Sequence, residues 1–181
     1  MGQISDCVNR LAASATFAMM QKSNELAAQG VNVVNMSVGE PDFNTPDYVK
    51  NAAKQAIDEN YSTYSPVPGY MSLRKACSDK LKRENNLDYA LTQIVVSTGA
   101  KQSLCNAIMA VVNPGDEVLL PSPCWVSYPE MVKLAGGVPV VIKAGIEQDF
   151  KVTAQQIADA ITPKTKAIMI CSPSNPTGSV Y

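Results

Sequence analysis

The sequence predicts an α/β protein built on a parallel sheet with helices on both faces. Three observations predict it. From residue 93 onward, short continuous apolar runs (QIVVS, EVLL, VPVVI and KAIMI) alternate with longer helix-like stretches, as expected of strands buried on both faces. The intervening stretches are long enough to carry right-handed crossovers, and turn signals such as NPGD at 113–116 punctuate them. A chain of 181 residues with 46% hydrophobic content can bury a sizeable core as one domain, or as one domain with an appended segment.

The elements follow in order. After a polar start, SATFAMMQKSNELAAQG is rich in good helix formers, with Gly30 standing where a C-terminal cap would. VNVVNMSVGEPDF predicts a short strand over 31–36 and then a loop punctuated by Gly39 and Pro41. NTPDYVKNAAKQAIDENY predicts a helix with Thr45 as N-cap, Pro46 at the first helical position and Asp47 in the first turn. Its Val49, Ala52, Ala53, Ala56 and Ile57 share one face. The prolines and glycine of YSPVPGY break that helix, and another is expected over about 71–84 with Leu73, Ala76, Cys77 and Leu81 inward. Then come strand QIVVS, a helix in TGAKQSLCNAIMAVV, strand EVLL, a loop and helix in PSPCWVSYPEMVKLAGG, strand VPVVI, a helix near 153–161 and strand KAIMI. There is neither an internal repeat nor a low-complexity linker.

Composition excludes several function classes. Fifteen basic and sixteen acidic residues, without a dense cationic run, give no electrostatic footprint for nucleic acid or a membrane surface. The five cysteines are scattered and lack a C-x-x-C pair, so they read as reduced, structural thiols rather than a disulfide framework or zinc ribbon. Charged residues interrupt the first thirty positions, no segment has membrane-spanning character, and a cytoplasmic location is expected. The chain has no histidine, which removes Ser-His-Asp and Cys-His chemistry and every histidine-containing metal site. Proton transfer near neutral pH would fall to Lys, a carboxylate, Tyr, Cys or a cofactor.

In open α/β sheets ligands bind beyond the carboxyl ends of the strands, which directs attention to the loops at 97–101, 121–125 and 171–178. Ser97, Thr98, Gly99, Ala100 and Lys101 lie where a strand gives way to a helix, and free N–H groups there favour an anion such as phosphate. Many such loops carry a glycine merely to turn, and the spacings of the nucleoside-triphosphate and dinucleotide loops are absent. Trp125 could stack on an aromatic ligand or simply fill a core. Cys124 beside it has no histidine to activate it and reads as an inert thiol. The Asn175 amide could donate to a phenolate-like oxygen, although a turn asparagine suits SPSNPTG equally well. Tyr64 and Gly39 are a loop aromatic and a turn glycine unless something converges on them.

In this order and spacing, GEPDFNTP, YSPVPGY, STGAKQ, NPGDEVLLPSPCWVSYPEM, AITPKTKA and SPSNPTGSVY strongly resemble the amino-terminal half of class I pyridoxal-phosphate aminotransferases, in particular the bacterial aspartate aminotransferase branch. The resemblance covers nearly the whole chain. It implies the three-layer parallel-sheet fold of fold-type I pyridoxal-phosphate enzymes, with residues 1–45 as an amino-terminal arm and small-domain segment and 46–181 as the first half of the cofactor-binding large domain. It implies that Gly99, Ala100 and Lys101 contact the cofactor phosphate and that Trp125 stacks on the pyridine ring beside the substrate. Asn175 would donate to the phenolic oxygen and help hold the substrate carboxylate. Tyr64 would reach the phosphate of a neighbouring subunit's cofactor, so a homodimer with shared active sites is implied. Gly39 would lie against the substrate, Lys101 would help recognise an acidic side chain, and Thr16 falls in a segment that can assist. The implied reaction moves an amino group between an amino acid such as aspartate and a 2-oxo acid such as 2-oxoglutarate.

The same resemblance implies a Schiff-base lysine, an acidic partner for the pyridinium nitrogen and a substrate-clamping arginine, all expected beyond residue 181. Lys101 does not take the first of these roles, so the chain is expected to be an incomplete and inactive fragment. Cys124 stands where close relatives often carry tyrosine, which alters packing beside Trp125. Two other readings compete: a non-catalytic dimerisation or interaction fragment, and a generic phosphate-ligand-binding α/β domain that leaves the motif order unexplained.

Overall fold

The sheet is organised around β1 (Glu117–Ser122), whose Val118, Leu119 and Leu120 are inaccessible to solvent in a computed structural model that describes residues 4–181. β2 (Val138–Lys143) and β3 (Thr165–Ile168) flank it, both parallel to it, in the order β2-β1-β3. The β1–β2 register runs unbroken from Glu117↔Val138 to Ser122↔Lys143. The β1–β3 ladder shifts between Glu117 and Val118, continues to Leu119↔Ile168 and is extended by the Met169 N–H donating to the Leu119 carbonyl at 3.0 Å. Side chains alternate across a strand. Val118 and Leu120 therefore join Ile108, Tyr128, Met131 and Val132 on one face, while Leu119 joins Ile142, Ala144 and Val152 on the other.

This sheet belongs to the first of two compact units, made of the residues up to Ser37 together with Leu104–Tyr181. Its leading segment holds α1 (Asp6–Asn9), which the polar start did not announce, and α2 (Ala15–Ala28). Gly30 ends α2 with φ +80, and the Val31 N–H closes back on the Leu26 carbonyl, as a left-handed C-terminal cap requires. The strand expected over 31–36 does not form. Val34 and Met36 are 83% and 90% exposed, and the Ser37 N–H turns to the Asn35 side chain. β-propensity needs a neighbouring ladder to express itself, and among the described residues this segment has none.

The second unit spans Val38–Ser103 and contains α3 (Asp47–Asp58) and α4 (Met71–Asn85). α3 starts one residue later than the sequence suggests: Pro46, with ψ 143, occupies the capping position and Thr45 does not cap. The helix forms as expected, and on the face its apolar residues share, Val49, Ala52, Ala53 and Ile57 are exposed and Ala56 is half-buried. In α4, Cys77 and Leu81 are half-buried as expected, whereas Leu73 and Ala76 are exposed. Polar contacts secure the stretch that follows it. Arg74 Nε donates to the carbonyls of Leu91 and Ile94, and Ser78 Oγ donates to that of Tyr89. The strand expected over 93–97 is also absent: a 3-10 turn occupies Leu91–Gln93, and the Val96 N–H bonds the Pro68 carbonyl at 3.0 Å rather than a strand.

α5 (Gly99–Val111), α6 (Ser127–Leu134) and α7 (Ala154–Ala160) match the expected crossovers. Thr153 and Gln156 form a reciprocal capping box at the start of α7. No helix among the described residues is long and apolar enough to cross a membrane.

The turn into β2 leaves no room at Gly137. A Cβ there would stand 2.6 Å from Val112 Cγ1 and 3.0 Å from Val132 Cγ1, both buried carbons of the main cluster. Gly137→Ala is expected to destabilise the protein by about 1 to 3 kcal/mol through overpacking, seen as a lower urea midpoint with an unchanged slope.

Candidate functional site

Because β1 and β3 run parallel, the chain leaves both at the same edge of the sheet. After β1 it passes through Pro123, Cys124 and Trp125 before entering α6; after β3 it continues into the 171–178 loop. Trp125 is half-buried and meets Tyr128 edge-on, with ring centroids 5.5 Å apart and planes at 89°. The Tyr128 N–H donates to the Trp125 carbonyl at 3.0 Å, so the first turn of α6 fixes the indole. Tyr128 itself is buried. Burial, a hydrogen bond with Cys171 and the nearby Cys171 and Cys124 thiols push its phenol up to about 12. Burial likewise raises the Cys124 thiol, which disfavours the reactive thiolate.

The 171–178 loop is closed by its own backbone. The Ser174 N–H donates to the Ser179 carbonyl at 2.9 Å, and the Gly178 N–H donates to the Ser174 carbonyl at 2.8 Å. Tyr181 braces it, its hydroxyl accepting from the Val152 N–H and its own N–H donating to Ser172 Oγ. Asn175 is exposed on this braced turn. Of the two readings left open by the sequence, the asparagine does sit in a turn, and it is exposed there.

Elsewhere in the same unit, Thr16, Met19 and Ser23 of α2 face Val34, Met36 and Ser37 across an open cleft of about 440 Å3. It is apolar with three hydroxyls along its walls.

In the second unit, Gly99 begins α5 with φ +78 and nothing within 4 Å of where a Cβ would be. The Thr98 N–H is taken by the Gln102 side chain and the Gly99 N–H donates to the Ser97 carbonyl at 2.9 Å, while Ala100 and Lys101 follow in the first turn of α5, at the positive end of the helix. Tyr64 is fully exposed in the loop after α3, and Gly39 is exposed with open space around it. The candidate residues thus fall into two sets, Thr16, Trp125 and Asn175 on one unit and Gly39, Tyr64, Gly99, Ala100 and Lys101 on the other.

Sequence reasoning missed Tyr128 and Cys171. The signal for Tyr128 was present, since it lies three residues after Trp125, one helical turn on. Nothing local could have joined Cys171 to it, because the neighbour relation comes from the β1–β3 ladder. Among the described residues no group of three or more His, Cys, Asp or Glu could hold a metal ion.

A parallel sheet with Trp125 and the 171–178 loop leaving adjacent strands at one edge defines an α/β fold of the class that carries ligands at the carboxyl ends of its strands. Residues 31–181 match the family Aminotransferase class I and II, and the chain belongs to that family. It is 51% identical over all 181 residues to a protein of Cereibacter sphaeroides named aspartate/prephenate aminotransferase, covering 45% of it. It is 49% identical over 174 residues, 96% of this chain and 44% of the relative, to an aspartate aminotransferase of Bacillus sp.. Among solved structures, the aspartate aminotransferase of Thermus thermophilus with maleate superposes with a TM-score of 0.94 at 45% identity, over 100% of this chain and 47% of that one. The chain spans about half the length of the relatives it matches.

Two outcomes follow from this geometry. The raised Tyr128 phenol stays neutral in the folded state where an unfolded one ionises, so its contribution to stability is complete below pH 10.0 and is lost as pH rises toward about 12. Tyr128→Phe is expected to remove that segment of the stability–pH curve and the matching step in phenolate absorbance. Gly99→Ala places a Cβ on a left-handed residue and is expected to cost about 1 kcal/mol, measured by thermal unfolding.

Proposed function

We propose that the protein to which this chain belongs is a pyridoxal-phosphate-dependent aminotransferase that moves an amino group between an acidic amino acid such as aspartate and a 2-oxo acid such as 2-oxoglutarate. The observation that carries this reading is the 51% identity, over every residue of the chain, to a relative named aspartate/prephenate aminotransferase.

The residues present fit the cofactor. A planar pyridine ring needs a flat apolar face, and Trp125 offers one while its edge is held by Tyr128. A phenolic oxygen needs a donor, which the exposed Asn175 amide can provide from a braced turn. A phosphate favours the positive end of a helix that it can approach closely, and Gly99, Ala100 and Lys101 begin α5 with open space where a Gly99 Cβ would stand. When bound, pyridoxal phosphate supplies an electron sink for charge left on the substrate's α-carbon. The chain's own residues bind and orient. Trp125 sets the plane of the ring and borders the substrate, Asn175 holds the phenolic oxygen and the substrate carboxylate, and Lys101 attracts an acidic side chain with help from Thr16. Gly39 leaves room for the substrate. Tyr64 reaches the cofactor phosphate of a second subunit, making the protein a homodimer with shared sites.

Lys101→Ala in the full-length protein tests the substrate class. It is expected to lower kcat/KM for aspartate about tenfold more than for alanine, because the charge-assisted contact is lost only with the acidic substrate. Equal losses would overturn the acidic-substrate assignment, and a full-length protein that transfers no amino group from any amino acid would overturn the class.

A further inference from the structure

The strongest unassigned feature is a single carboxylate that holds two elements at once. Glu130 lies in the first turn of α6, five residues after Trp125. Its Oε1 accepts from Lys133 Nζ at 2.8 Å, and its Oε2 accepts from the backbone N–H of Ala12 at 2.8 Å. Ala12 lies 118 residues away in sequence, in the short connection between α1 and α2. α1 packs against α6 beside this contact, with Cys7 and Leu11 half-buried. Both partners of the ion pair are largely shielded, with side-chain exposures of 26% for Glu130 and 34% for Lys133. Burial works against the charged carboxylate, but Lys133 and the Ala12 N–H outweigh it and hold the carboxyl below its ordinary range. It is therefore ionised at neutral pH and makes charge-assisted bonds.

What the clamp holds gives it a role. Three residues after Ala12, α2 begins with Ala15 and Thr16, and these line one wall of the 440 Å3 cleft. At its other end, the first turn of α6 fixes Trp125 through Tyr128. We propose that Glu130 is a positioning residue that clamps the amino-terminal arm onto α6, setting Thr16 and its cleft relative to the Trp125 loop so that the arm forms part of the substrate side of the site. The substrate side of this inference rests on the function proposed above; the clamp itself does not. Lys133 orients the carboxylate by occupying one oxygen, leaving the other for the arm.

The test uses the full-length protein and two independent readouts. The first is hydrogen exchange at the Ala12 amide, expected to be protected in the unmodified protein and to accelerate about tenfold or more in Glu130→Ala. The second is steady-state kinetics with aspartate: KM is expected to rise about three- to tenfold while kcat stays within about twofold, with the cofactor absorbance unchanged, the split that separates binding geometry from chemistry. Glu130→Gln keeps an acceptor oxygen and is expected to rescue part of both effects; it also serves if Glu130→Ala fails to fold. Unchanged exchange at Ala12 in both variants overturns the clamp. Faster exchange with unchanged KM, or a fall in kcat matching the rise in KM, overturns its role on the substrate side. A protein that transfers no amino group refutes the proposed function and leaves the exchange result to judge the clamp alone.

Discussion

Burial of β1 on both faces is the constraint from which the rest follows. A strand whose neighbours are parallel to it and whose side chains are sealed above and below must be covered by helices on each side. Val118 and Leu120 on one face and Leu119 on the other place α5 and α6 against one surface and α7 against the opposite one. Parallel pairing then delivers the carboxyl ends of β1 and β3 to the same edge. That edge is where Trp125 and the 171–178 loop stand, so the position of the candidate ligand-contacting residues is a consequence of how the core closes.

α6 connects this core to the surface chemistry. One face buries Tyr128, Met131 and Val132, which anchors the helix. Its first turn holds the indole of Trp125, and Glu130 holds the arm that precedes α2. A helix of eight residues has little intrinsic stability in water; tertiary packing makes it rigid enough to position groups on both sides. The thiols of Cys124 and Cys171 serve this packing as small apolar groups around the Tyr128 hydroxyl, in keeping with the raised Cys124 and Tyr128 titrations.

The legible parts of the fold were those with local causes. The C-terminal cap at Gly30, the break at the YSPVPGY prolines, the helix Ala154–Ala160 and the three apolar runs of the sheet all depend on nearby residues, and all lie where the pattern puts them. The misread elements depend on partners. Residues 31–36 and 93–97 have strand-like composition, but no ladder neighbours exist for them among the described residues. The shared apolar face of α3 is present as expected, with Val49 and Ile57 on it exposed among the described residues. At the candidate site, the loops could be located from the strand ends. The Trp125–Tyr128 pair could have been found from helical spacing, whereas Cys171 at the Tyr128 hydroxyl and Glu130 at Ala12 could not.

By itself, the sequence determined the α/β class, the order of the crossovers and the family, because apolar periodicity, turn residues and motif order are properties of neighbouring positions. Tertiary structure alone decided which carboxylate reaches the Ala12 amide, which thiol meets the Tyr128 phenol, and which apolar faces are buried. Those relations join residues from 43 positions apart, as with Tyr128 and Cys171, to 118 apart, as with Ala12 and Glu130. They exist only once strand pairing and helix packing bring distant segments within the few ångströms over which hydrogen bonds act.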